Sequence, residues 1–298
     1  MKPLPKLLAA GAVLAAVSLT AGACDASPYA ATVNSHVIKQ AALDSELQAF
    51  GSNHAYRSSA GLDGQAPGTY STKWVSGILT GMIVDSALRE RLAAAGTLPS
   101  PAVLAASRSV DQIGWGDAWF AFSPGFRDTL VSQFADEAMI TSPNTIDTPT
   151  LLGVYSQYKK YFFTRVCTVE ASSRTRAAAA AAVSAGLADG TRVCYTQRQF
   201  EAQPKAFQSA VESLPVGRIA SPVPTPYGYR LVKVVSRTVQ GLTAAVKRTL
   251  AVALLDFNGR PNPALDRVVA SARVKVNPQY GTWSSSSGVT PPTGPAGS

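Results

Sequence analysis

Helical sequence on both sides of a short mixed segment is the strongest constraint on the fold of this chain. The outer stretches, 31–162 and 241–283, carry apolar residues at helical spacing, whereas the segment 163–240 has the order β-α-β-α-β. Amphipathic helices must bury their apolar stripes, so we expect the two outer stretches to pack together. The sequence therefore predicts an α+β fold, a helical domain built from both ends with a small antiparallel-sheet domain inserted.

The apolar pattern also places individual elements. Predicted helices cover 40–50, 71–95, a stretch after Pro99, 124–140, 148–162, 242–257 and 262–272. Predicted strands cover 31–38, 165–169, 192–196, 229–235 and 273–277. Residues 284–298 are mainly Ser, Gly, Pro and Thr, and this composition predicts a disordered tail.

Residues 1–23 have the order of an export signal. Lys2 and Lys6 precede an apolar run from Leu7 to Leu19, and the small residues 21–23 follow it. The run is shorter than the roughly 20 residues that span a bilayer. We therefore predict a cleaved signal peptide, although a retained N-terminal membrane helix is the alternative. Residues 24–30 are then a tether.

Cys24 follows the small residues directly, as in lipoprotein signals, where this thiol receives a lipid. Ala21 stands where such signals usually carry Leu, Val or Ile, and Ala21 with Ala23 also fits an ordinary signal peptidase site. The predicted location is the outer face of the cell membrane through a lipid on Cys24, or secretion if ordinary cleavage occurs.

Three cysteines in an exported chain leave one unpaired, unless Cys24 is lipidated and Cys167 pairs with Cys194. An oxidising compartment permits this disulfide bond. Two buried free thiols at 167 and 194 remain the alternative.

The formal net charge is +9, but the basic residues are scattered, which argues against nucleic-acid binding. The sequence has no glycine-rich phosphate loop and no serine-hydrolase motif. With two distant histidines, His36 and His54, we expect no metal site and no cofactor.

The segment Leu214–Val234 reads LPVGRIASPVPTPYGYRLVKV. It resembles the second half of a parvulin, a family of peptidyl-prolyl isomerases. The start, with Val33, Asn34 and Ile38 before a Leu-rich helix, is similar to SurA-type chaperones, and 274–283 resembles the tail of actinobacterial lipoproteins of this group. The chain thus resembles the SurA/PrsA exported foldases, in which both ends form a chaperone domain around an inserted parvulin domain.

The resemblance implies two histidines, one in the first strand and one in the Gly-Tyr-His strand, with Cys or Asp on a loop between them. Here the first position holds Val166, or Cys167 in a shifted register, and the second holds Arg230. The glycine-rich loop is missing as well. We therefore predict a degenerate site with no catalytic residue, and we interpret Arg230 as a solvated cation at a strand edge.

The resemblance implies that the apolar residues of the parvulin substrate cradle are retained in this sequence. Phe207 matches the pocket phenylalanine, Phe200 lies near the pocket methionine, and Tyr227 is placed at the rim. These three residues are the predicted substrate-binding set; the alternative is that Phe200 and Phe207 only fill the core. The implied Cys167–Cys194 bridge joins the first two strands.

These features lead to one main hypothesis, an exported chaperone that binds unfolded or proline-containing segments of secreted proteins with weak or no isomerase activity. An active prolyl isomerase and an envelope scaffold lipoprotein are the alternatives. The main hypothesis predicts that Phe207→Ala weakens client binding and that Arg230→Ala matters little.

Overall fold

The computed structural model describes residues 29–62, 68–212 and 214–292. The predicted signal peptide, most of the tether and Cys24 lie outside these residues. Twelve α-helices occur in the described ranges: α1 (Gln40–Gly51), α2 (His54–Ser59), α3 (Thr72–Ala94), α4 (Pro101–Trp115), α5 (Asp117–Ala121), α6 (Pro124–Ile140), α7 (Thr148–Tyr158), α8 (Arg176–Ser184), α9 (Gln197–Glu201), α10 (Lys205–Glu212), α11 (Ala244–Phe257) and α12 (Pro263–Ser271). A short 3-10 helix, Lys159–Tyr161, follows α7.

Nine strands accompany these helices: β1 (Tyr29–Val33), β2 (His36–Lys39), β3 (Phe163–Ser173), β4 (Thr191–Thr196), β5 (Val223–Thr225), β6 (Gly228–Val239), β7 (Val274–Val276), β8 (Thr282–Ser284) and β9 (Gly288–Thr290). They form three antiparallel sheets with the orders β2-β1-β7, β4-β3-β6-β5 and β8-β9. In the part of the chain that the structure describes, no helix combines the length and apolarity needed to cross a membrane.

Local signals set the helix starts. The side chains of Ser71, Ser100 and Ser123 each accept a hydrogen bond from a backbone N–H in the first turn of α3, α4 and α6. Such caps satisfy donors that a helix leaves open at its N-terminus. Pro101 and Pro124 occupy first-turn positions, where a missing N–H has no cost.

The two ends of the chain meet in the first sheet. Strand β1 pairs with β7, so that Val33 lies opposite Val274 and Ala31 opposite Val276. Beneath this sheet lies a core of buried side chains from α1, α3 and α5, including Leu43, Leu47, Leu79, Ile83 and Trp119.

A second helical core joins residues from before and after the inserted sheet. Val110 of α4, Phe134 of α6 and Leu151 of α7 pack with Leu250 of α11. The helical part is therefore built from both ends of the chain, and the predicted α+β architecture is confirmed.

The four-stranded sheet is covered on both faces. On one face, Phe163, Val166 and Val232 pack against Phe200 and Phe207 from α9 and α10. On the other face, α8 covers only one part of the sheet, through a smaller cluster that includes Ala179, Leu187 and Leu231.

The predicted disorder of residues 284–298 is wrong for the part that the structure describes, which reaches Pro292. Strands β8 and β9 form a hairpin against α3, and the Val289 N–H donates to Thr80 Oγ1 at 2.8 Å. Val289 is buried, and Gly288, at φ +73°, lies so close to Thr80 that a Cβ would clash. A partner distant in sequence thus orders a segment whose composition suggests disorder; residues 293–298 lie outside the described ranges.

Candidate functional site

Arg230 lies at the centre of a polar cluster on the inserted sheet. Its Nε and Nη2 donate to Glu170 Oε2 at 3.0 and 2.7 Å, Nη2 also donates to the Tyr195 hydroxyl at 2.7 Å, and Nη1 donates to Gln203 Oε1 at 3.0 Å. Strands β3, β4 and β6 and the turn between α9 and α10 each contribute a residue. We call Glu170, Tyr195, Gln203 and Arg230, together with Thr168, the Arg230 cluster.

The carboxylate of Glu170 is fully engaged. Its Oε1 accepts hydrogen bonds from the Tyr195 hydroxyl at 2.8 Å and from Thr168 Oγ1 at 2.6 Å, while Oε2 receives Arg230. The Arg230 and Glu170 side chains are only 22% and 11% exposed. Burial, followed by the neighbouring Glu170 carboxylate, raises the pKa of Tyr195 to about 12. The phenol therefore keeps its proton and acts as a donor.

The interpretation of Arg230 as a solvated strand-edge cation is wrong. Its guanidinium carbon lies 3.8 Å from the centroid of the Phe207 ring, and Glu170 holds it from the adjacent strand. A guanidinium over an aromatic face is attracted by the ring quadrupole, more strongly when water is partly excluded. Arg230 is a structural part of the sheet.

The predicted first-strand position, Val166, lies in the core of the inserted sheet. Val166 is fully buried beside Phe163 in the apolar core. The residue of β3 that meets Arg230 is Glu170, four positions further along the strand. The pair that faces across β3 and β6 at this point is a carboxylate and a guanidinium.

The structure does not bring the predicted substrate-binding residues together at an open surface. Phe200 and Phe207 are each 1% exposed, and their ring centroids lie 6.1 Å apart within the sheet core. Tyr227 is 92% exposed in the turn between β5 and β6. The two phenylalanines therefore fill the core, and Arg230 covers the ring of Phe207.

Cys167 and Cys194 lie directly opposite each other on β3 and β4, with their Sγ atoms 2.04 Å apart. Because side chains alternate along a strand, Cys167 projects from the face opposite to Thr168 and Glu170. The cysteine pair and the Arg230 cluster thus occupy opposite faces of the same sheet.

A second polar cluster joins the sheet to the helical part, and sequence analysis missed it. Arg108 of α4 donates to Glu201 Oε2 of α9 at 2.7 Å and also pairs with Asp128 of α6. Arg127 lies 3.8 Å from the same Glu201 carboxylate, and the guanidinium groups of Arg108 and Arg127 are both within 6 Å of the centroid of the Trp119 ring.

Electrostatic interactions explain why Glu201 and its two arginines pack together at this junction. Burial raises the pKa of Glu201, while Arg108 and Arg127 oppose that shift. A buried carboxylate of this kind is stable only with its cations in place. The charged residues lie about 20 to 90 positions apart in sequence, so no local pattern marks them as partners.

No imidazole lies in the inserted sheet, since the two histidines of the sequence are His36 on β2 and His54 on α2. Within the described ranges, no group of three or more His, Cys, Asp or Glu residues is placed to hold a metal ion. The chemistry that the Arg230 cluster offers is hydrogen bonding and charge, with every member already bound to another.

No protein-family model matches this chain. No curated protein sequence matches it either.

Solved structures of foldases and chaperones are similar to it at low sequence identity. The foldase PrsA from Lactococcus lactis has 14% identity and a TM-score of 0.28, with 85% of this chain and 96% of that chain covered. A SurA-like chaperone from Campylobacter jejuni has 11% identity and a TM-score of 0.27, covering 84% and 99%. PrsA from Bacillus subtilis has 13% identity and a TM-score of 0.27, covering 80% and 91%.

These structures come from foldases and SurA-like chaperones, the group that the sequence resembles.

Proposed function

We propose that this chain is an exported chaperone, or foldase, which binds unfolded segments of secreted proteins and has no significant prolyl isomerase activity. The observation that carries the proposal is the Arg230–Glu170 pair beneath a parvulin-like sequence signature. The signature, Leu214–Val234, covers the connection from α10 to β5, then β5, the turn after it and the first part of β6. The insertion of this sheet between helices from both chain ends is the expected chaperone arrangement.

The Arg230 cluster argues against isomerase activity on physical grounds. Rotation about an Xaa-Pro bond crosses a barrier of about 18–20 kcal/mol, which falls when the amide loses its double-bond character in an apolar environment. Here the ring of Phe207, the expected wall for a proline, is covered by a guanidinium that is itself bound to a carboxylate. A proline ring has no apolar cradle at this position.

Two measurements on the purified mature protein test the proposal. In a protease-coupled assay with a short Xaa-Pro peptide, we expect the rate to equal the uncatalysed background. In a light-scattering assay, we expect the protein to suppress aggregation of an unfolded exported client. A rate well above background would establish the active isomerase instead, and unchanged aggregation would overturn the chaperone assignment.

We further propose a domain division: a helical domain from 31–162 with 241–283, and a parvulin-like domain from 163–240. A cleaved signal peptide at 1–23 and a lipid on Cys24 complete the proposed mature chain. Outward anchoring would hold the chaperone where secreted chains emerge unfolded. An ordinary secreted form is the outcome if Cys24 carries no lipid.

We also propose that Cys167 and Cys194 form a disulfide bond in the exported protein, which their directly opposite positions on β3 and β4 support. Intact-mass measurement of the mature protein tests both modifications at once. A diacylglycerol adds a characteristic mass to Cys24, and reduction of the bond adds the mass of two hydrogen atoms. An unmodified mass that reductant does not change would reject both.

A further inference from the structure

Strand β4 is an edge of the inserted sheet, and it pairs with no strand other than β3 in the part of the chain that the structure describes. Edge strands present backbone N–H and C=O groups that a further strand can use. The register of β4 against β3 decides which of these backbone groups point outward.

The cysteine pair defines the direction of the backbone groups. Cys167 and Cys194 are directly opposite with their Cα atoms 4.0 Å apart, the narrow spacing of a pair that exchanges no backbone hydrogen bonds. The N–H and C=O of Cys194 therefore point away from β3, toward the open edge. By alternation, those of Arg192 point the same way.

Cations dominate the side chains beside this edge. Residues directly opposite one another project from the same face, so Arg192, Val169 and Lys233 form one row across the sheet. The cysteine pair follows in the next row, and Arg165 beside Thr196 in the row after it. Arg165 and Arg192 are exposed, and Lys233 is half-buried.

Few acidic residues of the inserted segment are available to these cations. Between residues 163 and 240 the sequence has ten Lys or Arg residues and four Asp or Glu residues. Glu170 is bound to Arg230, Glu201 to Arg108, and Glu212 to Gln112. The fourth, Asp189, lies in the turn between α8 and β4.

Among the described residues, Arg165, Arg192 and Lys233 form no salt bridge. We call β4 with these three cations the basic edge. We infer that it binds an extended segment of an unfolded polypeptide as a fifth strand, with acidic side chains at alternate positions.

Backbone pairing with Arg192 and Cys194 supplies affinity independent of sequence, and the cations select segments with Asp or Glu on the matching face. This inference rests on the proposed chaperone function, because it names the class of client segment that the chaperone binds. The basic edge also offers an accessible binding surface, which the buried Phe200 and Phe207 do not.

The test uses the full mature protein and a labelled seven-residue peptide of alternating Glu and Val. We expect saturable binding by fluorescence anisotropy that weakens with added salt. A peptide with Lys in place of Glu, and one with N-methyl groups on alternate residues, should each bind far more weakly. The first control removes charge complementarity and the second removes the backbone donors.

Arg192→Glu should weaken binding of the Glu-Val peptide about tenfold, because an attractive cross-strand pair becomes a repulsive one. Arg260→Glu makes the same charge change on the exposed loop after α11 and should leave binding unchanged. Hydrogen exchange gives an independent readout, since peptide binding should slow exchange of the Arg192 and Cys194 amides.

Equal binding by the two variants, or no protection of those amides, would overturn the inference. It would also fail if Arg192→Glu reduced retention on phosphatidylglycerol vesicles and left the peptide affinity unchanged, because the surface would then be a lipid site. The aggregation assay separates the two proposals. If wild type and Arg192→Glu suppress aggregation equally, the chaperone function stands and only the binding role of the basic edge is rejected.

Discussion

The guanidinium carbon of Arg230 lies 3.8 Å from the centroid of the Phe207 ring, while Glu170 binds the same guanidinium from the neighbouring strand. Cation, ring and carboxylate thus form one packed unit at the position where a parvulin site is expected. We therefore expect substitutions in this unit to change the stability of the protein directly and client binding only indirectly.

Arg230→Ala should lower the free energy of unfolding by about 2–4 kcal/mol, because it leaves the shielded Glu170 carboxylate without its cation. The expectation from sequence that Arg230→Ala matters little concerns client binding and is separate from this loss of stability. The double variant Glu170→Met with Arg230→Met should cost less than Arg230→Ala, since no charge is then left unpaired. Urea denaturation measures both, and a neutral Arg230→Ala would contradict the structural role.

Phe207→Ala should destabilise the protein by about 3–5 kcal/mol, as expected for an aromatic ring removed from a packed core. Tyr227→Ala, at a highly exposed position, should change stability by less than about 0.5 kcal/mol. Client binding by Phe207→Ala, measured where the variant remains folded, should equal wild type. Loss of binding without loss of stability would restore the substrate-binding role of Phe207.

The free energy of unfolding should fall as pH rises through the pKa values of two partly buried carboxyl groups, Glu46 and Asp85. Burial, followed by Asp85, raises the pKa of Glu46 from 4.5 to about 7, and burial raises that of Asp85 to about 6. When a carboxyl pKa is raised by folding, the folded state binds more protons than the unfolded state at any pH between the unfolded and folded pKa values. The contribution is complete below about pH 4 and lost above about pH 7.

Glu46→Gln should therefore raise the free energy of unfolding at about pH 8 by about 1–3 kcal/mol and flatten its pH dependence. Asp44→Asn, on the exposed side of the same helix, is the matched loss of one charge and should have little effect. Chemical denaturation across about pH 4 to 8 gives the comparison. Parallel pH curves for wild type and Glu46→Gln would show that Glu46 titrates normally.

Truncation after Ser284 should cost about 2–3 kcal/mol, because it removes buried Val289 and its hydrogen bond to Thr80. Truncation after Pro292 keeps strand β9 and should leave the midpoint of thermal unfolding unchanged. Equal midpoints for the two truncated chains would mean that the hairpin adds no stability.

Local patterns in the sequence were sufficient for much of the fold. Helix α6 runs from Pro124 to Ile140, as its N-terminal proline and apolar spacing predict, and α3 begins one residue after its cap, Ser71. Such features need only neighbouring residues. The same holds for the inserted order of strands and helices, and for the placement of Cys167 and Cys194 on strands.

Only the tertiary structure decided the chemistry of the site. Glu170 and Arg230 are 60 positions apart, and the pairing of β3 with β6, bulge included, decides which side chain meets the arginine. The predicted first-strand position, Val166, projects from the same face as Glu170 but lies in the apolar core, four residues before the carboxylate that meets Arg230. The burial of Phe207 beneath Arg230 and the order of the β8–β9 hairpin against Thr80 likewise depend on residues distant in sequence. No local sequence pattern predicts these contacts.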